Sequence, residues 1–310
     1  MKKIFSISLL LLSQLVYSQH PPKAYFHLVS IADSLYRAKN FKEASATYSA
    51  AFAAFKGKGF VNDRYKAACA YAGIGNIDSA YYNLFRIAKK GGWSEYEFLI
   101  GDADLAVLHS DERWNKLVNI VRNNKAAAEA HLNKPLAEEL EKIFEDDQKY
   151  RMLVDSAEKV SGKDSPQMDS LRKTIRLQDA KNLARVTELI DRYGWLGADD
   201  VGRKGNQALF LVIQHSDIDT RKKYLPVMRE AMERGKAAPG EVALLEDKIL
   251  LDQSGRQRYG SQLKFNALNN TYELYPIEDE AFVNDRREEM GLSPLEDYLR
   301  PWGVQYTPPK

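Results

Sequence analysis

Apolar residues return every three or four positions along most of this chain, the spacing that places them on one side of an α-helix. Leu28, Ile31, Ala32 and Leu35 form one such stripe, closed by a polar turn at Ala38-Lys39-Asn40. Phe41, Ala44, Tyr48 and Ala51 form the next. About 36 residues further on the pattern returns, with Ala67, Ala68 and Tyr71, a turn at Gly75-Asn76, then Ile77, Ala80, Leu84 and Ile87. Each unit reads as helix, short turn, helix, with small residues where the two helices must approach closely. A degenerate third unit follows. It is irregular from Trp93 to Leu108, and Asp111 then caps a helix carrying Trp114, Leu117, Val118 and Val121.

The second half keeps the helical period with different punctuation. Asn133 and Pro135 are start signals, and Leu136, Leu140, Ile143, Phe144, Tyr150 and Val154 mark a long helix behind them. Ser165-Pro166 opens another, with Leu171, Ile175, Leu183, Val186, Leu189 and Ile190, closed by Gly194. Ala208 to Ile213 is an unbroken apolar run, which predicts a helix buried all round. Pro239 starts a helix through Leu251. Residues 262–275 change character: aromatic and β-branched residues flank Asn269-Asn270, the pattern of a small hairpin. Asp279 and Ser293-Pro294 start two short helices, and the tail from Thr307 has no anchoring signal.

The fold class is therefore mainly α, a helical-repeat half followed by a mostly helical domain with a small β-hairpin. The front half resembles the tetratricopeptide repeat, on Ala32, Phe41, Ala44, Tyr48 and Ala51 in the first unit and Ala68, Tyr71, Ala80 and Leu84 in the second. The family's early Trp and closing Pro are missing, so the likeness is to the fold rather than to a consensus repeat. The resemblance implies a groove that takes a protein or peptide partner. The expected organisation is a leader at 1–18, repeats at 19–123, a linker or helical extension at 124–134, a mostly helical domain at 135–303 and a tail at 304–310.

The leader changes the picture of compartment and charge. Lys2 and Lys3 precede a short apolar run from Ile4 to Leu12, and Val16-Tyr17-Ser18 offers a cleavage site. This is the layout of a secretory signal peptide, too short to span a bilayer. Cleavage is expected after Ser18 or Gln19, and the protein is expected to be exported, periplasmic or secreted. No cysteine follows the site, so a lipid anchor is not expected. The formal net charge of +2 falls away with the leader: losing Lys2 and Lys3 from 45 basic residues leaves 43, equal to the 43 acidic ones. A neutral chain has no global field to draw it to nucleic acid. No nucleic-acid partner and no membrane span are expected. The single cysteine, Cys69, lies among alanines and reads as a small buried hydrophobe, with no second cysteine for a disulfide or a thiolate metal site.

The common catalytic motifs are absent: no GxxxxGK[ST], GxGxxG, HExxH or GxSxG. No cofactor and no metal ligand set can be named. A subtler signal remains, because several second-half helices carry a polar residue on their apolar stripe. Leu140, Ile143 and Phe144 lead by helix spacing to Asp147 and Arg151; Ile175 leads to Asp179 and Asn182; Ala208, Leu211 and Val212 lead to His215; Ala243 and Leu244 lead to Asp247. A charge on a core-facing stripe must pair, be hydrated or line a cleft. These positions sit in compact strings: Glu145-Asp146-Asp147-Gln148, Tyr193-Gly194-Trp195, Gln214-His215-Ser216-Asp217, Leu245-Glu246-Asp247-Lys248, Tyr259-Gly260-Ser261-Gln262 and Arg286-Arg287. Together they resemble a bacterial domain family of unknown function over roughly residues 136–300. That implies a shared fold unit and polar site, without a reaction.

Two readings of this set stand. In the first, His215, Asp247 and Asp147, with Gln262, converge on a cleft. Gln148, Arg151, Asp179, Asn182, Gln214, Tyr259 and Arg286 complete the candidate ligand pocket of an exported protein- or peptide-binding scaffold. The alternative is an exported hydrolase, with His215 and the carboxylates as general base or holding a divalent metal. A purely structural network would instead pair Asp147 with Arg151, and Asp247 with Arg286 or His215. Whether the protein is an enzyme is open at this point.

Overall fold

The computed structural model describes residues 21–266, 269 and 271–309. The expected leader and its cleavage site lie outside these residues, as do Asn270 of the expected turn and Lys310 of the tail. The described chain is mainly α, with fourteen α-helices and a two-stranded antiparallel sheet.

The front half is built from α1 (Lys23–Arg37), α2 (Phe41–Ala54), α3 (Val61–Gly73) and α4 (Ile77–Lys90). Each packs on the next in order. Close approach is possible because the contact positions are small: Ala32, Ala44, Ala51, Ala67, Ala68 and Ala80 are fully buried. The turn residue Asn76 caps α4, its side chain accepting the Ser79 N–H at 3.1 Å. The irregular stretch becomes α5 (Tyr96–Gly101) and a 3-10 turn at Ala103–Leu108, followed by α6 (Arg113–Glu129). Leu99, Leu105, Leu108, Trp114, Leu117 and Val121 join this unit to the core of α3 and α4. Asp111 acts from just outside α6, accepting the Arg113 N–H at 2.9 Å. The Ala-rich stretch expected to link the halves extends α6 as far as Glu129.

Asn133 caps α7 (Lys134–Arg151) through the Leu136 N–H, with Pro135 in the first turn. The stripe expected to run on to Val154 breaks at Met152 and Leu153, which are exposed, and Val154 opens a separate α8 (Val154–Ser161). α9 (Pro166–Tyr193) is capped by Ser165 and ends at Gly194. α10 (Ala198–His215) bends at Gly202, whose φ of +75° lies where only glycine sits without strain. Its apolar run is buried at Ala208, Leu209, Phe210, Val212 and Ile213, whereas Leu211 is half-buried, so the helix is not buried all round as expected. α11 (Ile218–Glu233) and α12 (Pro239–Ser254) complete the core.

The hairpin pairs β1 (Leu263–Asn266) with β2 (Thr271–Leu274), Leu263 opposite Leu274 and Asn266 opposite Thr271. α13 (Val283–Glu289) and α14 (Leu295–Leu299) form a small core with Ile277, which Leu263 and Leu274 of the hairpin join. The chain then returns to its first helix. Arg300 Nε donates to Ser30 Oγ at 2.6 Å, and His27 Nδ1 meets Asp297 Oδ1 at 3.1 Å. The two halves also touch where α6 meets α10, and the Asn133 N–H bonds the Asp200 carbonyl at 2.9 Å. No helix among the described residues is long and apolar enough to cross a membrane.

Candidate functional site

α7 packs against both α9 and α10. Leu140 and Ile143 face that junction, and the next position on the same face is Asp147, only 3% exposed. An isolated carboxylate there would be costly, so its partners decide what it does. His215 Nδ1 lies 3.0 Å from Asp147 Oδ1, Gln148 Nε2 donates to Oδ2 at 2.7 Å, and Arg151 Nε approaches at 3.5 Å. Arg151 also donates to Asp179 of α9. Burial pushes the Asp147 pKa up. The His215 hydrogen bond, then attraction from His215 and Arg151 and the Gln148 hydrogen bond, together outweigh it and hold the carboxyl below its usual range.

His215 is the last residue of α10, one turn beyond Val212, and its side chain is 22% exposed. Its Nδ1 is engaged by Asp147, which leaves Nε2 without a protein partner among the described residues. The ring, Asp147, Asp179, Ser216 and Arg176 line an open cleft of about 220 Å³ whose remaining wall is apolar, including Leu183 and Val212. Arg176 is exposed and has no hydrogen-bond or ionic partner among the described residues. Ser216 Oγ donates to the Ile213 carbonyl at 2.7 Å, so the hydroxyl is turned away from His215. Asn182 is buried nearby in sequence; its Oδ1 accepts from Gln178 at 2.8 Å and its Nδ2 has no partner. The Gln214 carbonyl accepts Lys248 Nζ at 2.9 Å, while its own Oε1 is buried without a partner. Burial, then the charge of Arg221 and, less, that of Arg151, push the Lys248 pKa down.

Asp247 and Gln262 do not join His215, and the expected four-residue convergence is corrected here. Asp247, fully buried on α12, accepts three backbone N–H groups: Arg258 at 2.7 Å and Tyr259 at 2.9 Å on Oδ1, and Ser261 at 2.8 Å on Oδ2. Gly260, between the last two, has φ of +76°, and a Cβ there would meet Leu295 Cδ1 at 2.7 Å. The loop can wrap the carboxylate only with glycine at that point. Arg286 donates to the carbonyls of Arg258, Glu278 and Asp279 rather than to Asp247. Gln262 Nε2 donates to the Leu244 carbonyl at 3.3 Å, and buried Tyr259 points its hydroxyl at Glu246. These four residues hold a loop. Asp147 and Arg151 do pair, and they do so beside an open cleft.

Arg176 escaped the sequence reading, while Ser216 and Lys248 stood in its polar strings without being named as site residues. Arg176 stands three residues before Asp179, on the same face of α9, and that spacing was the available signal. Lys248 follows Asp247 directly, so a helix turns it by about 100° toward Gln214 while Asp247 faces the loop. Among the described residues no group of three or more His, Cys, Asp or Glu side chains is placed to hold a metal ion.

A family model described as "Family of unknown function (DUF6624)" matches residues 134–307, more than half of the chain. The chain belongs to the DUF6624 family. The DUF6624 segment begins at the first residue of α7 and contains both the Asp147–His215 cleft and the Asp247 loop, whereas α1 to α6 lie outside it. No curated protein and no solved structure matches the chain.

Proposed function

We propose that the protein is an exported binding scaffold whose DUF6624 half holds a small polar ligand in the Asp147–His215 cleft. The observation that carries this reading is the convergence of polar groups, two of them unpartnered among the described residues, on an open, partly apolar hollow. Arg176 offers a free cation, His215 a free Nε2 and Asp179 a partly exposed carboxylate, while Arg151 and Asp147 fix the back wall. A hollow of about 220 Å³ lined by a cation and a carboxylate complements a small molecule carrying both charges, such as a free amino acid or a dipeptide. A melting-temperature screen of amino acids and dipeptides against the wild type and His215→Gln tests it. At least one should raise the wild-type midpoint saturably and leave that of His215→Gln unmoved. No response from any of them would remove this ligand class.

The helical pairs of the front half support a tetratricopeptide-like role for α1 to α6, with a peptide partner. Between α3, α5 and α10 lies a hollow of about 320 Å³ walled by Tyr65, Trp93 and Phe98 and edged by Lys66 and Arg203, which suits an apolar side chain of an extended segment. Export rests on the layout of residues 1–18. A second reading, hydrolysis, is favoured by one geometric feature. A His whose Nδ1 is fixed by a carboxylate presents Nε2 as a general base. With Ser216 turned away, the nucleophile would be water. Turnover of chromogenic esters or peptides that disappears in His215→Gln would establish that reading over simple binding.

A further inference from the structure

α2, α3 and α4 bound a separate hollow of about 360 Å³ in the front half. Into it faces Arg64, which is 3% exposed. A guanidinium carries five N–H donors. Two of those on Arg64 are used, one on Asn83 Oδ1 and one on the Gly57 carbonyl, both at 2.8 Å, and the group lies over the Phe52 ring at 4.2 Å. Arg86 donates to the same Gly57 carbonyl at 2.8 Å. Two cations thus converge on one carbonyl oxygen, and neither has a carboxylate partner among the described residues. Among the described residues no acidic side chain lines the hollow. Its wall instead carries the hydroxyls of Ser79 and Tyr82, unpartnered among the described residues, and the Ser49–Tyr71 hydroxyl pair at 2.6 Å.

Holding the loop at Gly57 is not enough to explain this arrangement. Arg287 shows what a structural buried arginine looks like in the same chain. It bonds the carbonyls of Ser293 and Tyr259, stacks on Tyr298, and feels the attraction of Asp247 and Glu296. Among the described residues no carboxylate plays that part around Arg64. Burial and then the repulsion of Arg86 lower its pKa. A buried cation beside a second cation is stabilised when an anion binds next to them. Free N–H groups on Arg64 and several hydroxyls offer more donors than the two oxygens of a carboxylate group need.

We propose that the Arg64 hollow is an anion site for a tetrahedral oxyanion, phosphate free or as a small monoester, independent of the Asp147–His215 cleft. The test is calorimetric titration of the purified protein with inorganic phosphate, glycerol phosphate and acetate at constant ionic strength. One saturable phosphate site is expected, with acetate much weaker. Tighter binding of glycerol phosphate would identify an esterified ligand, and tighter binding of the inorganic ion a free one. Arg86→Gln, a change of a half-buried residue beside the hollow, should weaken phosphate on the order of tenfold by removing the second positive charge. Tyr82→Phe should weaken it less, and His215→Gln should bind as wild type. Arg64→Gln should abolish binding, and if that variant does not fold, the Arg86 and Tyr82 variants decide. No saturable phosphate binding, equal binding of acetate, or wild-type affinity in Arg86→Gln would each overturn the proposal.

Discussion

Replacing Asp247 by Asn should be one of the most damaging single-atom changes available in this chain. The carboxylate accepts two N–H groups on Oδ1 and one on Oδ2, at 2.7–2.9 Å, in a position with no exposure. The amide keeps one oxygen for Arg258 and Tyr259 and turns an NH₂ toward the Ser261 N–H, or the reverse. At least one buried donor then faces another donor, which costs about 1–3 kcal/mol. The bonds that survive lose charge assistance, which removes roughly half their strength. A total near 3 kcal/mol follows, or roughly 6–12 °C in melting temperature for a unit of this size. His215→Gln should cost only about 1 kcal/mol, because Asp147 keeps Arg151 and Gln148. Urea titration of both variants measures the difference, and amide exchange at Arg258, Tyr259 and Ser261 should accelerate in Asp247→Asn alone. If Asp247→Asn unfolds at the wild-type midpoint with those amides still protected, the account of Asp247 as the anchor of this loop is wrong.

Asp147 has a folded pKa below its ordinary value. Its contribution is therefore complete above the unfolded value of about 3.9 and drains away as pH falls through the folded value. The urea midpoint gap between wild type and Asp147→Asn should shrink as pH falls below about 4; a gap that widens there would reverse the assigned sign. Ala44 and Ala80 are fully buried at helix contacts, so Ala44→Arg and Ala80→Arg should each lower stability by at least about 1–3 kcal/mol from overpacking, with the buried charge adding more. Thermal melts check this, and two wild-type midpoints would contradict the packing of α1 to α4. Mass spectrometry of protein from the native host should show a chain beginning at Gln19 or His20, and an intact Met1 would refute export through the leader.

Helix punctuation was the most legible feature of the sequence. Asn76, Asn133 and Ser165 stand at the starts of α4, α7 and α9 with their side chains bonded into the first turn, because capping is a local interaction between residues three apart, whereas α11 and its cap Asp217 were not read from the sequence. The hairpin at 263–274 was equally local. The polar set was legible only in part. Periodicity says that Asp147, His215 and Asp247 face inward; the two carboxylates are buried, and His215 lines an open cleft. It does not say what each meets. Asp147 and His215 meet because α7 packs on α10, a tertiary fact, while Asp247 is taken by backbone N–H groups of a loop whose path depends on the positive φ of Gly260. Backbone donors leave no mark in a side-chain pattern. Arg64 escaped for a related reason: in an alanine-rich helix it reads as a surface charge, and only the packing of α2 and α4 around it makes it buried.

The most direct test of the ligand cleft is a long-range ¹H–¹⁵N spectrum of the histidine rings during titration with the amino acid or dipeptide that best raises the melting temperature. The account predicts a saturable shift of the His215 Nε2 resonance, with Nδ1 still marked by its bond to Asp147 and with His27, His109 and His131 unmoved. A stationary His215 resonance while the protein binds that ligand would place the site elsewhere and contradict the account.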